Sequence, residues 1–441
     1  MSSIHKGLTV TVSIDEDRLE AVNALLEGFR KDLADDVATY RQKLPSTFFI
    51  SWLTLPAQSY AEKEQLPARI LLMTSYVGSK RRHIKELASV MGKHLKMVFG
   101  HSHEFPHWVE GNKGMEDFLN KKGVFHAFYS GFKFVLPEDV PKEKHLKETV
   151  YTYLNEQRST EGFDQPSPEQ IKQKIEAFIC DNPDLKWAYK RPHETKRDRL
   201  KMLVPLLLFA CIMLGSLVCL VLSFFMDVLI LKIGAIILPA FLLVMFFLFL
   251  WLRINENNPH IPNKPVEDGW IRKIVMREKN PVINEMTVIA PLKKGWIRRI
   301  FLAVSLRLIS LVGYFTYIPT VHTARWLQID KGKRLVFIAN FDNISEAYAH
   351  DFVDSENRSR NLSVIFSHAA GFPPTKWLVK KGYNHRSEYM KGVRAHQKIT
   401  QFWYAFNTEL SVENLKTNRR FREGLFKSMD EDKLREWLLT I

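Results

Sequence analysis

The chain has 441 residues, a formal net charge of +15 at neutral pH, 46% hydrophobic and 12% aromatic residues. That length suits about two or three domains, and the apolar content, with no long Ser, Gly or Gln tract, excludes a disordered chain. Three cysteines (Cys180, Cys211, Cys219) without a CxxC or Cys/His cluster exclude a disulfide framework and a structural zinc site.

The N-terminus lacks the apolar core of a signal peptide. Residues 8–14 (LTVTVSI), 47–55 (TFFISWLTL), 69–77 (RILLMTSYV) and 95–106 (LKMVFGHSHEFP) are β-branched and aromatic runs that predict four strands. Between the first and second, residues 15–38 carry Leu19, Val22, Leu25, Leu26 and Phe29 on one helical face; between the third and fourth, 79–94 predict a second helix. The resulting order, β-α-β-β-α-β, is that of a ferredoxin-like unit. Further helices are expected over 115–122, 149–156 and 168–180.

Residues 186–201 hold seven Lys or Arg against two acids, just ahead of two apolar stretches, 202–225 and 228–252, of 24 and 25 residues. At 1.5 Å per residue either one crosses a hydrocarbon core of ~30 Å, and the basic flank is the positive-inside pattern. Asp227 marks a tight turn, Lys232 snorkels, Pro239 kinks the second span, and Trp251 with Arg253 marks its return. Two spans bring the chain back to the side it left, so both soluble halves are expected in the cytoplasm. The basic residues do not interleave with an RNP-like aromatic pattern or a helix-turn-helix, so the expected partner is a lipid bilayer and not nucleic acid.

After a polar, Pro-bearing linker the four segments return in order: MTVIAPL from 286, TVHTARWLQID from 320, RLVFIANFD from 334 and LSVIFSHAAGFP from 362. GWIRKI at 269 and GWIRRI at 295 are a local echo, and Trp with Arg at a helix start suggests interfacial anchoring. The helix predicted over 296–315 is almost wholly apolar, with Arg298, Arg299 and Arg307 as its only charges. It lies in the membrane interface or between domains, and the nearby hairpin favours the interface. Helices are expected over 345–353, 385–396, 412–425 and 430–439. The expected fold is therefore α+β: two ferredoxin-like βαββαβ repeats forming a pseudo-dimer, with an inserted two-helix transmembrane hairpin. Its parts are residues 1–180, a basic linker 181–201, the hairpin 202–252, a linker 253–284, and 285–441.

The pattern HTARW, RLVFIANFDN and SHAAGFP resembles the dimeric α+β-barrel superfamily, and more narrowly an uncharacterised bacterial family with an HFARW-like strand. More distantly it is similar to chlorite-dismutase-like and dye-decolourising-peroxidase-like haem proteins. The resemblance implies a bacterial inner-membrane protein and a small apolar or haem-like ligand in the C-terminal half. The GxxDG haem motif of the dye-decolourising peroxidases is absent from the sequence.

The second repeat concentrates polar residues on its strands: His322 and Arg325, Asn340 and Asp342, and His368. The first repeat has Phe48, Ser51, Ser75, Val77 and His101 in their places. Strand alternation puts His322 with Ala324 and Trp326 on one face and Arg325 with Thr323 on the other. Under the haem reading His368 is the axial ligand, His322 and Asn340 line the ligand, and Arg325 with Asp342 supplies charge stabilisation. HSHEFPH, with His101, His103, Glu104 and His107, is the most metal-like stretch, because an HxH pair on a strand points to one side. Arg394, His396, Gln401, Trp403 and Tyr404 are either core or the wall of an apolar pocket. No nucleophile elbow, P-loop, GxGxxG or HExxH motif occurs, so whether the chain is an enzyme stays open beside a non-catalytic scaffold or sensor.

Overall fold

The computed structural model describes the chain except for residues 1–2, 36, 61–63, 161–165, 191–195, 259–264, 313–317, 346–362, 379, 381–384 and 426. In the first half, β1 (His5–Ile14) leads to α1 (Leu19–Asp35), α2 (Val37–Lys43) and β2 (Thr47–Leu55). A short hairpin, β3 (Gln58–Tyr60) and β4 (Glu64–Leu66), precedes β5 (Ala68–Val77), α3 (Lys80–Phe99) and α4 (Gly111–Lys121). Both β1 and β2 pair antiparallel with β5. Alternation along these strands makes two faces: Val10, Val12, Trp52, Ile70 and Leu72 pack beneath α1, α3 and α4, while Leu53, Leu55, Leu71 and Met73 face the other way.

Beyond α4 come β6 (Ala127–Ser130), α5 (Asp139–Thr160), α6 (Pro168–Asp181), α7 (Lys196–Leu222), α8 (Leu229–Asn255) and α9 (Asp268–Arg277). The second half follows as β7 (Ile283–Pro291), α10 (Trp296–Val312), β8 (Val321–Ile329), β9 (Arg334–Asp342), α11 (Arg386–His396), β10 (Gln397–Lys398), β11 (Phe402–Ala405), α12 (Val412–Gly424) and α13 (Glu431–Leu438). Here β7 and β8 flank β9, all antiparallel. Met286, Val288, Ala324 and Trp326 face α10, and Ile289, Leu327, Ile329, Val336 and Ile338 meet the inner face of the first sheet. The layers are thus helices, sheet, sheet, helices.

Each half lends a strand to the other. β6, from the first half, pairs with β8, while Gly123 just before it bridges to Val10 of β1. Reciprocally, β10 pairs with β7, and β11 four residues later pairs with β2. Two straps therefore tie the sheets together along both edges, and the cores are joint. Phe48, Val77 and Phe132 cluster with Ile283, Ala405 and Phe406, and α5 and α6 share a cluster with Phe421 and Trp437. That last contact carries a buried ionic knot in which Arg422 Nη1 lies 3.2 Å from Asp139 and 3.0 Å from Glu143, with Arg419 also on both acids.

The expected fourth strands do not form. Residues 95–99 end α3, because Ile84, Leu87, Met91, Leu95 and Val98 repeat at helical spacing and bury one stripe. In the second half residues 363–366 form a helical turn, and the edge beside β7 belongs to β10. The helix expected over 345–353 falls outside the described residues beyond Ser345.

The stretches Leu203–Leu222 and Leu229–Asn255 are long and apolar enough to cross a membrane, with mean hydropathy 2.7 and 2.9, and each is only 6% buried. They cross where side chains are small. A Cβ on Gly234 would lie 2.8 Å from Cys219 Sγ, and the Ser216 hydroxyl inserts between the Gly234 carbonyl (2.7 Å) and the Leu238 amide (2.8 Å). The bridge lies directly before Pro239, which stands inside α8. Lys232 pairs with Asp227 at the turn.

Candidate functional site

Arg325 is fully buried in the layer between the sheets, on the inward face of β8 with Leu327 and Ile329. Its Nη1 donates to the Leu8 carbonyl (2.8 Å) and Thr9 Oγ1 (2.9 Å), and its Nη2 to the Thr74 carbonyl (2.6 Å) and Ser75 Oγ (3.3 Å). All four acceptors belong to the first half. Gly7 makes room, since a Cβ there would stand 2.8 Å from Arg325 Nη2 and 2.5 Å from His126 Nε2. Among the described residues no carboxylate lies within 4 Å, and burial lowers the Arg325 pKa to about 9. The adjacent void, lined by Ser51, Ser75, Thr323 and Asn340, measures about 10 Å³, room for one water. Arg325 is a clasp between the halves.

His322 and Asp342 are brought together, with Nε2 to Oδ1 at 2.6 Å. A β-bulge between Val321 and Thr323 takes His322 out of the ladder. Its ring therefore leaves the face of Ala324 and Trp326 and packs on Phe49 (6.0 Å) and Phe132 (5.5 Å). Simple alternation is overturned here: Phe49 also lines the void beside Arg325, so the two residues share the interior. Asp342 accepts the Val412 amide (3.0 Å) at the start of α12, where a carboxylate is favoured. Asn340 donates to Thr323 Oγ1 (2.9 Å) and accepts from Trp403 Nε1 (2.8 Å). These three residues have their hydrogen bonds met by protein.

His368 lies elsewhere, behind α10 and near the base of α8. Burial, then Arg298 and Lys293, lower its pKa to about 3. Arg298 Nη1 stands 3.3 Å from its Nδ1, Arg298 Nη2 donates to the Asn255 carbonyl (2.6 Å), and Phe301 packs at 5.6 Å. The Nε2 has no partner, and the side chain is completely enclosed, with no open face for a haem iron. His322 has its Nε2 on Asp342 and only a water-sized void nearby. Neither histidine fits an axial haem ligand, and the haem expectation does not suit these residues.

His101 and His103 sit in turns after α3, not on a strand, so the one-sided HxH geometry is absent. The His101 carbonyl accepts from Arg18 (3.4 Å), and His103 Nε2 is 3.2 Å from Ser13 Oγ. Glu104 is committed to Lys122 (2.5 Å) and Ser13, which hold its pKa at about 2 against burial. Among the described residues no group of three or more His, Cys, Asp or Glu is arranged to hold a metal ion.

A cavity of about 650 Å³ opens at one end of the inter-sheet layer. The strap from β10 to β11 forms one wall, α1 and α2 a second, and α9 a third. Leu33, Val37, Ile274, Ile399 and Trp403 make it mostly apolar, and polar groups converge on it from three sides. From β7, where alternation turns Glu285 and Thr287 inward beside Ile289, comes the Glu285 carboxyl. Burial pushes its pKa up to about 7, against hydrogen bonds from Thr287 (2.6 Å) and Thr400, with Glu278 adding to the rise. From β11 comes Tyr404, whose hydroxyl is buried without a partner and whose pKa burial raises. Arg41 has a buried Nε without a partner, and Lys398 has its pKa lowered by burial. Neither cation has a carboxylate within 4 Å among the described residues.

Trp403 and Tyr404 were visible in sequence as pocket-wall candidates, and they line this cavity. Glu285, Arg41 and Lys398 belong to no motif that marks them in the sequence. The signal for Glu285 was an acid at an inward period-two position of a strand, directly opposite Asn340. No family model, no curated protein and no solved structure matches the chain.

Proposed function

We propose that the chain is a membrane-anchored binding protein whose chamber between the two halves takes a mostly apolar molecule with an acidic head. One observation carries this reading: Arg41 and Lys398, neither with a carboxylate within 4 Å among the described residues, stand on the wall of a mostly apolar 650 Å³ cavity. Two cations without an acid beside them at one apolar space favour an anionic group of a ligand there. Arg41 and Lys398 offer positive charge to a carboxylate, and burial, by raising the Glu285 pKa to about 7, favours the protonated form that donates a hydrogen bond.

The anchor is the α7–α8 hairpin, with both soluble halves on its cytoplasmic side, as the basic flank favours. The reciprocal straps support a fused pseudo-dimer of ferredoxin-like units of the dimeric α+β-barrel type. In this reading the site belongs to both halves and not to the C-terminal half alone.

The test is NMR of [1-13C]octanoate with the full chain in phosphatidylcholine nanodiscs. Saturable binding is expected, about tenfold weaker in Lys398→Gln and in Arg41→Gln, and weaker still for octanol. Equal binding of octanol, or no saturable octanoate signal, overturns the reading.

A further inference from the structure

A second cavity, about 340 Å³, lies on the other side of the body from the chamber, where β1, β6 and α10 meet. Its polar lining is Lys6, Lys80, His5, His126, Tyr76, Tyr129, Ser130 and Ser310, and among the described residues no carboxylate lines it. Neither lysine has an acid within 4 Å among the described residues. Gly7 also lines the cavity, and its missing Cβ leaves Arg325 Nη2 and His126 Nε2 converging on that wall, so a third uncompensated cation stands just behind. Lys80 is the first residue of α3, whose positive dipole end points into the same region. Cations and hydroxyl donors gathered without one acid make a site for an oxyanion.

Ser310 comes from α10, and the outer face of that helix shows where such an anion is found. Trp296, Ile300, Val304 and Leu308, at four-residue spacing, are 63%, 46%, 37% and 47% exposed, opposite buried Leu302 and Leu306. The helix also packs against α7 and α8, so its apolar stripe continues the surface of the hairpin.

We propose that the Lys6–Lys80 cavity binds a phosphate monoester, delivered either as a free solute or as the headgroup of a lipid in the bilayer on which α10 rests. His126, held neutral by burial and by Arg325, adds no charge to the site, and its ring hydrogen-bonds to the Val124 and Gly7 backbone. The lipid source rests on the membrane reading above, whereas the site itself does not.

The full chain in phosphatidylcholine nanodiscs is titrated with inorganic phosphate by calorimetry. In parallel, discs containing phosphatidic acid are used to count retained lipid by native mass spectrometry. Wild type is expected to bind phosphate saturably, or to retain one phosphatidic acid per chain. The Lys6→Gln/Lys80→Gln double variant should lose at least about tenfold in affinity or drop the lipid, while Lys85→Gln, on the exposed side of α3, is unchanged. Phosphate binding in pure phosphatidylcholine discs identifies the free solute; retention of phosphatidic acid alone identifies the lipid. Absence of both, or binding equal in the double variant, overturns the proposal.

Discussion

Replacing Arg325 with Met removes the four hydrogen bonds that fasten the second half to the first while keeping the length of the side chain. The Leu8 and Thr74 carbonyls and the Thr9 and Ser75 hydroxyls lose a donor, and each unsatisfied buried group costs about 1–3 kcal/mol. The carbonyls sit at the low end because their strands still pair, and the hydroxyls can turn to other acceptors. Against this, Met escapes the cost of burying a guanidinium with no acid beside it, a few kcal/mol. The net expectation is a loss of about 2 kcal/mol.

The Gly7→Ala variant separates clasp from bulk, because its Cβ would strike Arg325 Nη2 at 2.8 Å and His126 Nε2 at 2.5 Å. With Met at 325 the first clash is gone, so the double-mutant cycle should show a coupling of about 1 kcal/mol or more. Urea unfolding of the full chain, followed by near-UV circular dichroism, measures all three variants. A neutral or stabilising Arg325→Met that adds simply to Gly7→Ala would refute the clasp.

The Glu285 pKa is raised from an ordinary 4.5 to about 7, so the folded chain binds the extra proton and stability falls as pH rises from 4.5 through 7. Glu285→Gln should abolish that slope and gain about 1–3 kcal/mol at pH 8, read from urea midpoints. His5, His83, His126 and His368 are lowered to about 4, 3, 3 and 3, chiefly by burial, so their contribution is full above pH 6.5 and lost as pH falls towards those values. Each costs about 1.4 kcal/mol per pH unit, and cooperative acid unfolding is expected between about pH 4 and 5.5. Asp342→Asn should cost about 1–2 kcal/mol through the lost charge on His322 and on the α12 amide, without altering octanoate affinity in the NMR titration. Haemin added to the full chain should give no histidine-ligated Soret band, and His368→Ala should leave the spectrum unchanged.

Six strands, β1, β2, β5, β7, β8 and β9, were legible because each is a long β-branched run, and the apolar hairpin because nothing else is so long without charge. The strap strands were not. β6, β10 and β11 are two to four residues long, and their partners lie far away in the chain, as with Trp403 opposite Ser51. The run LKMVFG looks like a strand because six residues cannot distinguish the two periods; read from Ile84 onwards, the spacing is helical. The candidate site was half visible. His322 and Asp342 do meet, but a bulge that no residue type announces re-aimed the histidine, and neighbouring protein groups occupy their hydrogen bonds. Glu285 escaped notice because an isolated acid on a strand resembles a solvent-facing position until the opposite wall is known.

Whether a ligand occupies the chamber is tested most directly by mass spectrometry of small molecules released from the full chain purified without additives. Wild type is compared with Ala38→Trp, which fills the space between α2 and the strap. The account predicts one acidic, apolar species released from wild type in near-stoichiometric amount and absent from a folded Ala38→Trp protein. Release of ordinary bilayer lipid alone, or of the same species from both, would contradict it.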